Sequence, residues 1–177
     1  MKNYFKDNHS IYFAKRNDKA IIPTKELENA GYDIYPCFEE DFIEIKPFET
    51  KLIPTGISWA CSSDYYMQIE ERSSTGIKGI KKSAGVIDSG YRGEIKIAIT
   101  NVNNKPLIIS NLEENQLRNK YNIFNDILFY NTHKAIAQGI IHKVEKFDIK
   151  EIPIGELLEI PSSRGDKGFG STNLTNL

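Results

Sequence analysis

The chain has 177 residues, 40% of them hydrophobic and 27% charged, which is enough for one hydrophobic core and too little for two large ones. Its 23 basic and 24 acidic side chains leave a net charge of −1, so it lacks the basic surface of a protein that grips a nucleic-acid duplex. No apolar run approaches the ~20 residues that cross a bilayer, and the polar start is unlike a secretory signal. We therefore expect a soluble cytoplasmic protein, or one of the host cytoplasm if a virus or phage encodes it, without membrane or nucleic-acid partners and with Cys37 and Cys61 reduced.

Short strand-like segments separated by turn residues recur along the chain and favour an all-β sandwich or barrel. The predicted strands are Ile11–Ala14, Phe42–Ile45, Leu52–Ile53, Ile57–Cys61, Tyr65–Ile69, Glu94–Thr100, Leu107–Ile109 and Ile136–Val144. Glu94–Thr100 alternates isoleucine with other residues, which predicts one buried and one solvent-facing side. The only predicted helix is Leu112–Asn119, short and exposed. From Pro161 onward the residues are rich in Gly, Ser, Asn and Thr, which predicts a flexible arm.

Two segments in the first half of the chain concentrate polar groups near glycine. Ala30-Gly31-Tyr32-Asp33 is either a simple turn that enters a strand or a place where a carboxylate is presented. Glu71-Arg72-Ser73-Ser74-Thr75-Gly76 puts a guanidinium, several hydroxyls and backbone N–H groups in one turn, a composition that suits phosphate oxygens. Its alternative reading is a short capped helix that begins at Ser73 or Ser74.

Two later segments are equally distinctive. Residues 85–94, Gly-Val-Ile-Asp-Ser-Gly-Tyr-Arg-Gly-Glu, contain hairpin-type turn chemistry, but the same residues would allow a ligand near Gly85, a base at Asp88 and an aromatic wall at Tyr91. Residues 164–172 combine glycines, two cations, two hydroxyls and Phe169. This composition is typical of a disordered tail and equally of a segment that wraps phosphates and stacks on a base. The spacing of a strand-loop-helix phosphate loop is missing.

Taken in order, these segments resemble the five motifs of the trimeric dUTP diphosphatase (dUTPase) family. The matching segments are Ala30–Asp33, Arg72–Ser74, Gly85–Asp88 with Tyr91–Glu94, Ile136–Gln138, and Arg164–Gly165 with Gly168–Thr172. The resemblance implies a distorted jelly-roll β-barrel that assembles as a homotrimer with shared active sites. It places a barrel domain in residues 1–160, with an insertion at about 111–130, and makes residues 161–177 an arm that closes over an active site.

The implied activity is hydrolysis of dUTP to dUMP and pyrophosphate by in-line attack of water on the α-phosphorus, which keeps uracil out of DNA and supplies dUMP for dTMP synthesis. By resemblance Asp88 is the general base, Asp33 contacts Mg2+ through water, and Tyr91 lies beneath the sugar. The implied substrate-binding residues are Arg72, Ser73, Ser74, Ser83, Ala84, Gly85, Ile87, Tyr91, Gln138, Arg164, Phe169, Gly170 and Ser171. Backbone groups near Ser83, Ala84 and Gly85 would distinguish uracil from cytosine, and Phe169 would stack on the base.

The chain also departs from the family pattern. Glu71 stands where the family usually has proline, so an acidic side chain either weakens phosphate binding at Arg72 or faces away. His133, Lys134 and Ala135 replace the usual Gly-x-Arg before the fourth motif, and Lys134 is a point charge without the planar fork of arginine.

Two rival functions follow from the same residues. The related dCTP deaminases carry a catalytic glutamate at a position that corresponds here to Ala98, so this chain lacks that acid–base group. A binding or regulatory protein would use the 111–130 insertion as a partner surface, with Leu117, Tyr121, Ile123, Phe124 and Leu128 as anchors, unless these side chains pack onto their own barrel. The three scattered histidines predict no zinc site.

Overall fold

A computed structural model describes residues 9–166 of the chain. Its residues fall into two compact units, one that ends at Glu145 and one that begins at Lys146. The strands are β1 (Tyr12–Lys15), β2 (Tyr32–Ile34), β3 (Phe42–Ile45), β4 (Thr50–Pro54), β5 (Ile57–Ala60), β6 (Tyr65–Glu70), β7 (Ile80–Lys82), β8 (Val86–Ile87), β9 (Lys96–Asn101), β10 (Leu107–Ser110), β11 (Leu128–Asn131) and β12 (Ala137–Lys143). The helices are α1 (Ser73–Gly76), α2 (Glu114–Tyr121) and α3 (Ile154–Glu159). The boundary predicted at residue 160 stays a prediction.

The strands form four small sheets, so the prediction of a mainly β structure is confirmed. Their orders are β1-β5, β11-β10-β3, β2-β12-β6-β8 and β4-β9-β7. Every pairing is antiparallel except the one between β10 and β11. The four-stranded sheet carries residues of the first, third and fourth motifs, and the second motif directly follows its strand β6.

Isoleucine dominates the core, as the alternation in Glu94–Thr100 predicts. Ile95, Ile97 and Ile99 are each about 1% exposed and pack with Trp59 and Met67 in one cluster. The expectation of a solvent-facing second side is wrong for the middle of this segment, where Ala98 is also buried. The strand β9 lies between β4 and β7, and a central strand is covered more fully than an edge strand.

The segment between β10 and β11 contains the predicted helix, but its exposure differs from the prediction at Leu117. Parallel strands cannot be joined by a tight hairpin, so the chain crosses over through α2 before it enters β11. Leu117 on α2 is completely buried and packs with Ile108 and Ile127. The helix therefore closes a second small hydrophobic cluster through Leu117, while most of its other residues are exposed as predicted.

Other side chains of this segment differ in exposure. Tyr121 is 43% exposed, and its hydroxyl donates a 2.7 Å hydrogen bond to the Asp41 carboxylate. Phe124 is 89% exposed. Ile123 packs partly buried against the small cluster and Leu128 against the main core. The partner surface expected here stays a prediction, with Phe124 as its most exposed apolar residue.

The prediction of a single helix is wrong, because α1 and α3 also form. Each covers less than two turns, too short for an apolar period to be read in the sequence. The capped-helix alternative for Ser73 or Ser74 is confirmed, since α1 begins at Ser73. None of the helices within residues 9–166 has the length and apolar character needed to span a bilayer.

Candidate active site

A cavity of about 470 Å³ gathers residues from three separate motifs. It is lined by Glu28, Asn29, Ala30, Gly31, Asp33, Arg72, Ser73, Ser74 and Gln138. Five of these, namely Asp33, Arg72, Ser73, Ser74 and Gln138, are among the site residues predicted from the sequence. The cavity therefore brings together one guanidinium, the carboxylate predicted to contact Mg2+ through water, two hydroxyls and an amide.

The four-stranded sheet explains how residues far apart in sequence meet. In the antiparallel ladders of β12, Gln138 is the partner of Asp33 on β2 and of Glu70 on β6. Arg72 follows β6 by two residues, at the point where the chain turns into α1. The first, second and fourth motifs thus converge because three neighbouring strands present them at one end of the sheet.

Arg72 is held by a carboxylate and a carbonyl. Its Nε lies 3.1 Å from Asp33 Oδ1, its Nη2 donates to Asp33 Oδ2 at 3.4 Å, and its Nη1 donates to the carbonyl of Ala135 at 3.1 Å. Both charged side chains are about one-third exposed, so water and ligands reach them. A guanidinium has five N–H donors, and these contacts use three of them. The remaining donors suit an anionic ligand such as a phosphate.

Gly31 allows the loop before β2 to approach Gln138 closely. A Cβ atom at Gly31 would lie 2.5 Å from Gln138 Oε1 and 2.9 Å from its Cβ, closer than atoms can pack. The Gln138 amide nitrogen donates a 2.8 Å hydrogen bond to the carbonyl of Glu71, which fixes the side chain. The turn reading of this segment holds because β2 begins at Tyr32, and the same glycine also makes room for a pocket residue.

The two serines of the second motif lie on the exposed start of α1, while Thr75 forms the inner side of the turn. Thr75 is completely buried, and its hydroxyl accepts a hydrogen bond from the Arg72 N–H (3.1 Å) and donates one to the Arg72 carbonyl (2.9 Å). This local bonding leaves Ser73 and Ser74 exposed at the rim of the pocket. Thr75 is therefore a structural residue of this motif.

Of the three residues predicted to be catalytic, Asp33 lines the cavity, whereas Asp88 and Tyr91 do not. Asp88 and Tyr91 follow β8, which forms one edge of the four-stranded sheet, while Asp33 lies on β2 at the other edge. Three strand spacings separate these edges, about 14 Å. Asp88 is exposed, its carbonyl accepts the Tyr91 N–H at 3.1 Å, and neither residue lines the cavity. The predicted turn forms, but one chain does not bring these residues to Asp33.

The segment expected to read the base links β7 to β8 and ends on β8 at Ile87. The Ser83 N–H donates to the Ala98 carbonyl at 2.9 Å, and the Gly85 carbonyl accepts the Ile69 N–H at 2.7 Å. Ile87 is the ladder partner of Met67, and the Ser83 hydroxyl is hydrogen-bonded to that of Thr100. The Ser83 N–H and Gly85 carbonyl are thus already engaged, so fewer of the segment's backbone groups remain for a base than the sequence suggests. Ala84 is exposed between them.

Comparison with known proteins identifies the family. The family model described as dUTPase matches residues 17–113. The deoxyuridine 5'-triphosphate nucleotidohydrolase of variola virus is 34% identical over 168 residues, which cover 94% of this chain and 95% of the viral protein. Its camelpox virus (strain CMS) counterpart is 33% identical over the same length. The chain belongs to the dUTPase family.

Solved structures confirm the jelly-roll type of fold expected of a dUTPase. A mutant of the Staphylococcus bacteriophage 80alpha dUTPase with dUpNHpp matches with a TM-score of 0.72 and 23% identity, covering 94% of this chain and 99% of that one. The dUTPase of phage phi11 of S. aureus, in a mutant described as coordinating a structural Mg(II) ion, matches with a TM-score of 0.64 and 18% identity. It covers 81% of this chain and 96% of that one.

The acidic residue that departs from the dUTPase pattern faces away from the pocket. The Glu71 carboxylate lies 2.9 Å from Lys81 Nζ, accepts the Lys82 N–H at 3.3 Å, and does not line the cavity. Partial burial alone would raise the pKa of Glu71, but the bonds to Lys81 and to backbone N–H groups outweigh it and hold the pKa below its ordinary value. Glu71 therefore pairs with Lys81 and faces away from the pocket, which is the second of the two alternatives that the sequence leaves open.

The missing arginine of the fourth motif has no replacement among the residues that line the cavity. Lys134 is exposed in the turn after β11 and does not contribute to the lining. Ala135 is buried and offers only its backbone carbonyl, which binds Arg72. Within the part of the chain that the structure describes, Arg72 is the sole cation of this pocket.

The predicted arm residues lie partly outside the described part of the chain. Arg164 is exposed, and its N–H donates to the Ser162 hydroxyl at 3.2 Å. Gly165 has a left-handed φ of 59°, which favours glycine. Phe169, Gly170 and Ser171 lie beyond residue 166 and outside the described residues.

Sequence reasoning missed two contributors to the pocket. The loop before β2 supplies Glu28 and Asn29 to its lining, although the motif pattern starts only at Ala30. Tyr130, which the sequence reading assigned to the insertion, donates a 2.6 Å hydrogen bond to the carbonyl that binds Arg72. The strand-like run Leu128-Phe129-Tyr130, just before the fourth motif, was the available signal for the second of these.

Proposed function

We propose that this dUTPase hydrolyses dUTP to dUMP and pyrophosphate by attack of water on the α-phosphorus, which keeps uracil out of DNA and supplies dUMP for dTMP synthesis. The observation that carries the proposal is the Arg72–Asp33 ion pair beside Gln138 in one cavity. A pocket of this composition suits a polyphosphate better than an apolar ligand. The cytoplasmic location expected from the sequence stays a prediction.

Arg72, Ser73, Ser74 and Gln138 form the proposed phosphate-binding group. The bonds to Asp33 and Ala135 orient the guanidinium before any ligand arrives, so little reorganisation is needed when phosphate oxygens bind. The Gln138 amide is anchored on the Glu71 carbonyl in the same way. These donors would stabilise the charge that develops as the bond to the leaving pyrophosphate breaks.

The donor set of the pocket fits Mg2+ held mainly by water and phosphate. Within residues 9–166 no group of three or more acidic, histidine or cysteine side chains is placed to hold a metal ion. Mg2+ keeps several waters and needs only one or two carboxylates beside substrate phosphates, and Asp33 is a carboxylate in the cavity that is about one-third exposed. Asp33 would contact metal-bound water through lone pairs that Arg72 leaves available. The ion would neutralise phosphate charge when it binds with the nucleotide.

Asp88 is the proposed general base. Its carboxylate would orient the attacking water and accept its proton as the new P–O bond forms and pyrophosphate leaves. Tyr91, 45% exposed and tied through its hydroxyl to the Glu94 carbonyl at 3.0 Å, would form a rigid floor beneath the deoxyribose. A ring held in this way would leave no space for a 2'-hydroxyl and would thereby exclude UTP.

Base selection and closure of the site complete the proposal. Ala84 and neighbouring groups of Ser83, Gly85 and Ile87 would read the uracil edge. Arg164 would pair with the γ-phosphate, while Phe169, Gly170 and Ser171 would stack on the base and cover the remaining oxygens. These four arm residues are proposed on motif resemblance, with Arg164 exposed in the structure.

A homotrimer with shared sites would join the two halves of the machinery. One chain holds the phosphate-binding group at the β2 end of the sheet and Asp88 at the β8 edge. A second copy that presents its Asp88 to the Arg72 pocket would complete a site without any rearrangement within a chain. This arrangement gives a reason for an exposed carboxylate on an otherwise tightly bonded turn.

The reaction is tested by incubating the purified protein with Mg2+ and, separately, dUTP, UTP, dTTP and dCTP. We expect dUMP and pyrophosphate from dUTP alone. Ammonia from dCTP would instead indicate a deaminase, although Ala98 is buried in β9 and supplies no acid–base group. No product from any nucleotide would contradict the proposal and favour a binding protein.

Subunit mixing tests the shared sites. Asp88→Asn and Arg72→Ala chains, each inactive alone, should regain about a quarter of wild-type activity when unfolded together and refolded at equal amounts, because random assembly reunites an intact Asp88 with an intact pocket at that frequency. The matched control mixes Arg72→Ala with Asp33→Asn chains. Both changes fall in the same pocket, so this mixture should regain nothing, and equal recovery in the two mixtures would contradict the shared site.

A further inference from the structure

Tyr130 contacts the pocket through a backbone carbonyl, and although burial raises the pKa of its hydroxyl, it lies close enough to Arg72 for the guanidinium to lower that pKa in part. It lies on β11, is 3% exposed, and belongs to the main hydrophobic cluster. Its hydroxyl donates a 2.6 Å hydrogen bond to the carbonyl oxygen of Ala135, and the same oxygen accepts Arg72 Nη1 at 3.1 Å. A carbonyl oxygen has two lone pairs, so these two donors satisfy it together.

The carbonyl of Ala135 is held from both sides. Ala135 is 2% exposed, and the next residue, Ile136, donates its N–H to the Ile34 carbonyl at 2.8 Å. Burial raises the pKa of Tyr130, although Arg72 partly opposes this shift, so the hydroxyl keeps its proton and remains a donor at neutral pH. The peptide between β11 and β12 is thereby fixed in the orientation that receives the guanidinium.

We propose that Tyr130 is a positioning residue that orients Arg72 toward the substrate phosphates through the Ala135 carbonyl. The inference rests on the proposed function. This chain has alanine where the family pattern has arginine, and Arg72 is the sole cation among the described residues of the pocket. Phosphate binding in this chain therefore depends more on the orientation of a single guanidinium than it would in a site with two arginines.

A purely structural role for Tyr130 makes different predictions. The ring packs in the core, and Lys78 Nζ lies 6.0 Å from its centroid. Phenylalanine preserves both of these interactions and removes only the hydroxyl. A loss of activity in a Tyr130→Phe variant that is still fully folded at the assay temperature would thus separate the orienting hydrogen bond from ring packing, although loss of the bond lowers the melting temperature slightly.

The test measures kcat/KM for dUTP and the affinity for the non-hydrolysed analogue dUpNHpp in Tyr130→Phe. Loss of one buried hydrogen bond predicts about a three- to tenfold fall in both quantities. The matched control is Tyr121→Phe, which removes a hydroxyl bonded to Asp41 on the surface and should change either quantity by less than about twofold. Wild-type turnover of dUTP tests the proposed function separately from these ratios.

A double-mutant cycle decides whether Tyr130 acts through Arg72. Lysine at position 72 keeps the charge but lacks the fork that reaches both Asp33 and Ala135. In the Arg72→Lys background, Tyr130→Phe should therefore weaken dUpNHpp binding by less than about twofold. The same fold loss in both backgrounds, or no loss in the wild-type background, would overturn the proposal.

Discussion

The two edges of the four-stranded sheet differ in how their functional residues are held. At the β2 end, an ion pair joins Asp33 to Arg72. Side-chain hydrogen bonds to backbone carbonyls hold Arg72 and Gln138 in place. At the β8 edge, Asp88 is exposed at the end of a turn that is closed through its backbone. The first arrangement is an electrostatic site assembled before a ligand binds, and the second is a carboxylate presented outward. Under the proposed function, a single chain would therefore prepare phosphate binding but not the chemical step.

The largest expected effect comes from replacing the exposed carboxylate of Asp88 while the Arg72 pocket stays intact. Asp88→Asn should lower kcat for dUTP by about 10²- to 10⁴-fold, since it removes the proposed general base. Binding of dUpNHpp should stay within a few-fold of wild type, because the phosphate-binding group is untouched. Single-turnover kinetics together with calorimetric titration of the analogue measure the two quantities.

Near-normal turnover in Asp88→Asn would remove Asp88 from its proposed role. A matched control is Asp126→Asn, which neutralises another exposed carboxylate, one that is paired with Lys105 at 3.1 Å and does not line the Arg72 pocket. That variant should turn over dUTP at close to the wild-type rate.

A smaller effect is expected from a substitution that adds bulk to the Arg72 pocket. In Gly31→Ala, the new Cβ would overlap Gln138 Oε1 and Cβ, so the amide must move off the Glu71 carbonyl. Overpacking of this kind costs about 1–3 kcal/mol, and we expect kcat/KM for dUTP to fall by about tenfold. Steady-state kinetics measure this change.

The control for Gly31→Ala is Gly155→Ala on α3. A Cβ there meets no atom within 4 Å, and alanine favours helix more than glycine does. This variant should keep its activity within about twofold. If Gly31→Ala also keeps full activity, the position of Gln138 does not matter for catalysis.

The regular strands could be predicted because their apolar period of two is visible in the sequence. Phe42–Ile45 was predicted with both bounds correct, and Ile57–Cys61 with its end one residue late. The short strands β7 and β8 contain three and two residues, too few for a period to show. The burial of Leu117 could not be read either, because it depends on β10 and β11 being parallel and on the helix that this pairing requires.

Within the site, motif resemblance predicted which residues form it but not how they contact one another. Asp33 and Arg72 were expected to serve a metal and phosphates separately, whereas in this structure they form one ion pair. The contribution of Tyr130 depends on a turn between β11 and β12 that places its hydroxyl on a carbonyl five residues later. A pairing of this kind arises from the backbone path, which residue patterns alone do not specify.

Glu71, which directly precedes Arg72 in the sequence, offers a test with a small expected effect. Because the carboxylate pairs with Lys81 and does not line the pocket, Glu71→Gln should change kcat/KM by less than about twofold and the free energy of unfolding by about 0.2–1 kcal/mol. The pKa of Glu71 is depressed in the folded chain. Its contribution is therefore present at neutral pH and is lost as the pH falls through that depressed pKa. Denaturant titrations of both chains between neutral and acidic pH measure this, and a tenfold change in kcat/KM would show that Glu71 influences the pocket after all.

The smallest expected effect concerns α2, which contributes no residue to the Arg72 pocket or to the turn that carries Asp88. Asp41 accepts hydrogen bonds from Lys120 at 2.5 Å and Tyr121 at 2.7 Å, and the bond from Lys120, followed by that from Tyr121, lowers the pKa of Asp41. This anchor is present at neutral pH and is lost as the pH falls through the depressed pKa. Leu117 remains buried either way, so acidification, or Asp41→Asn at neutral pH, should speed amide exchange only in the last turn of α2. Faster exchange along the whole helix would instead show that the surface anchor, rather than burial of Leu117, holds α2 in place.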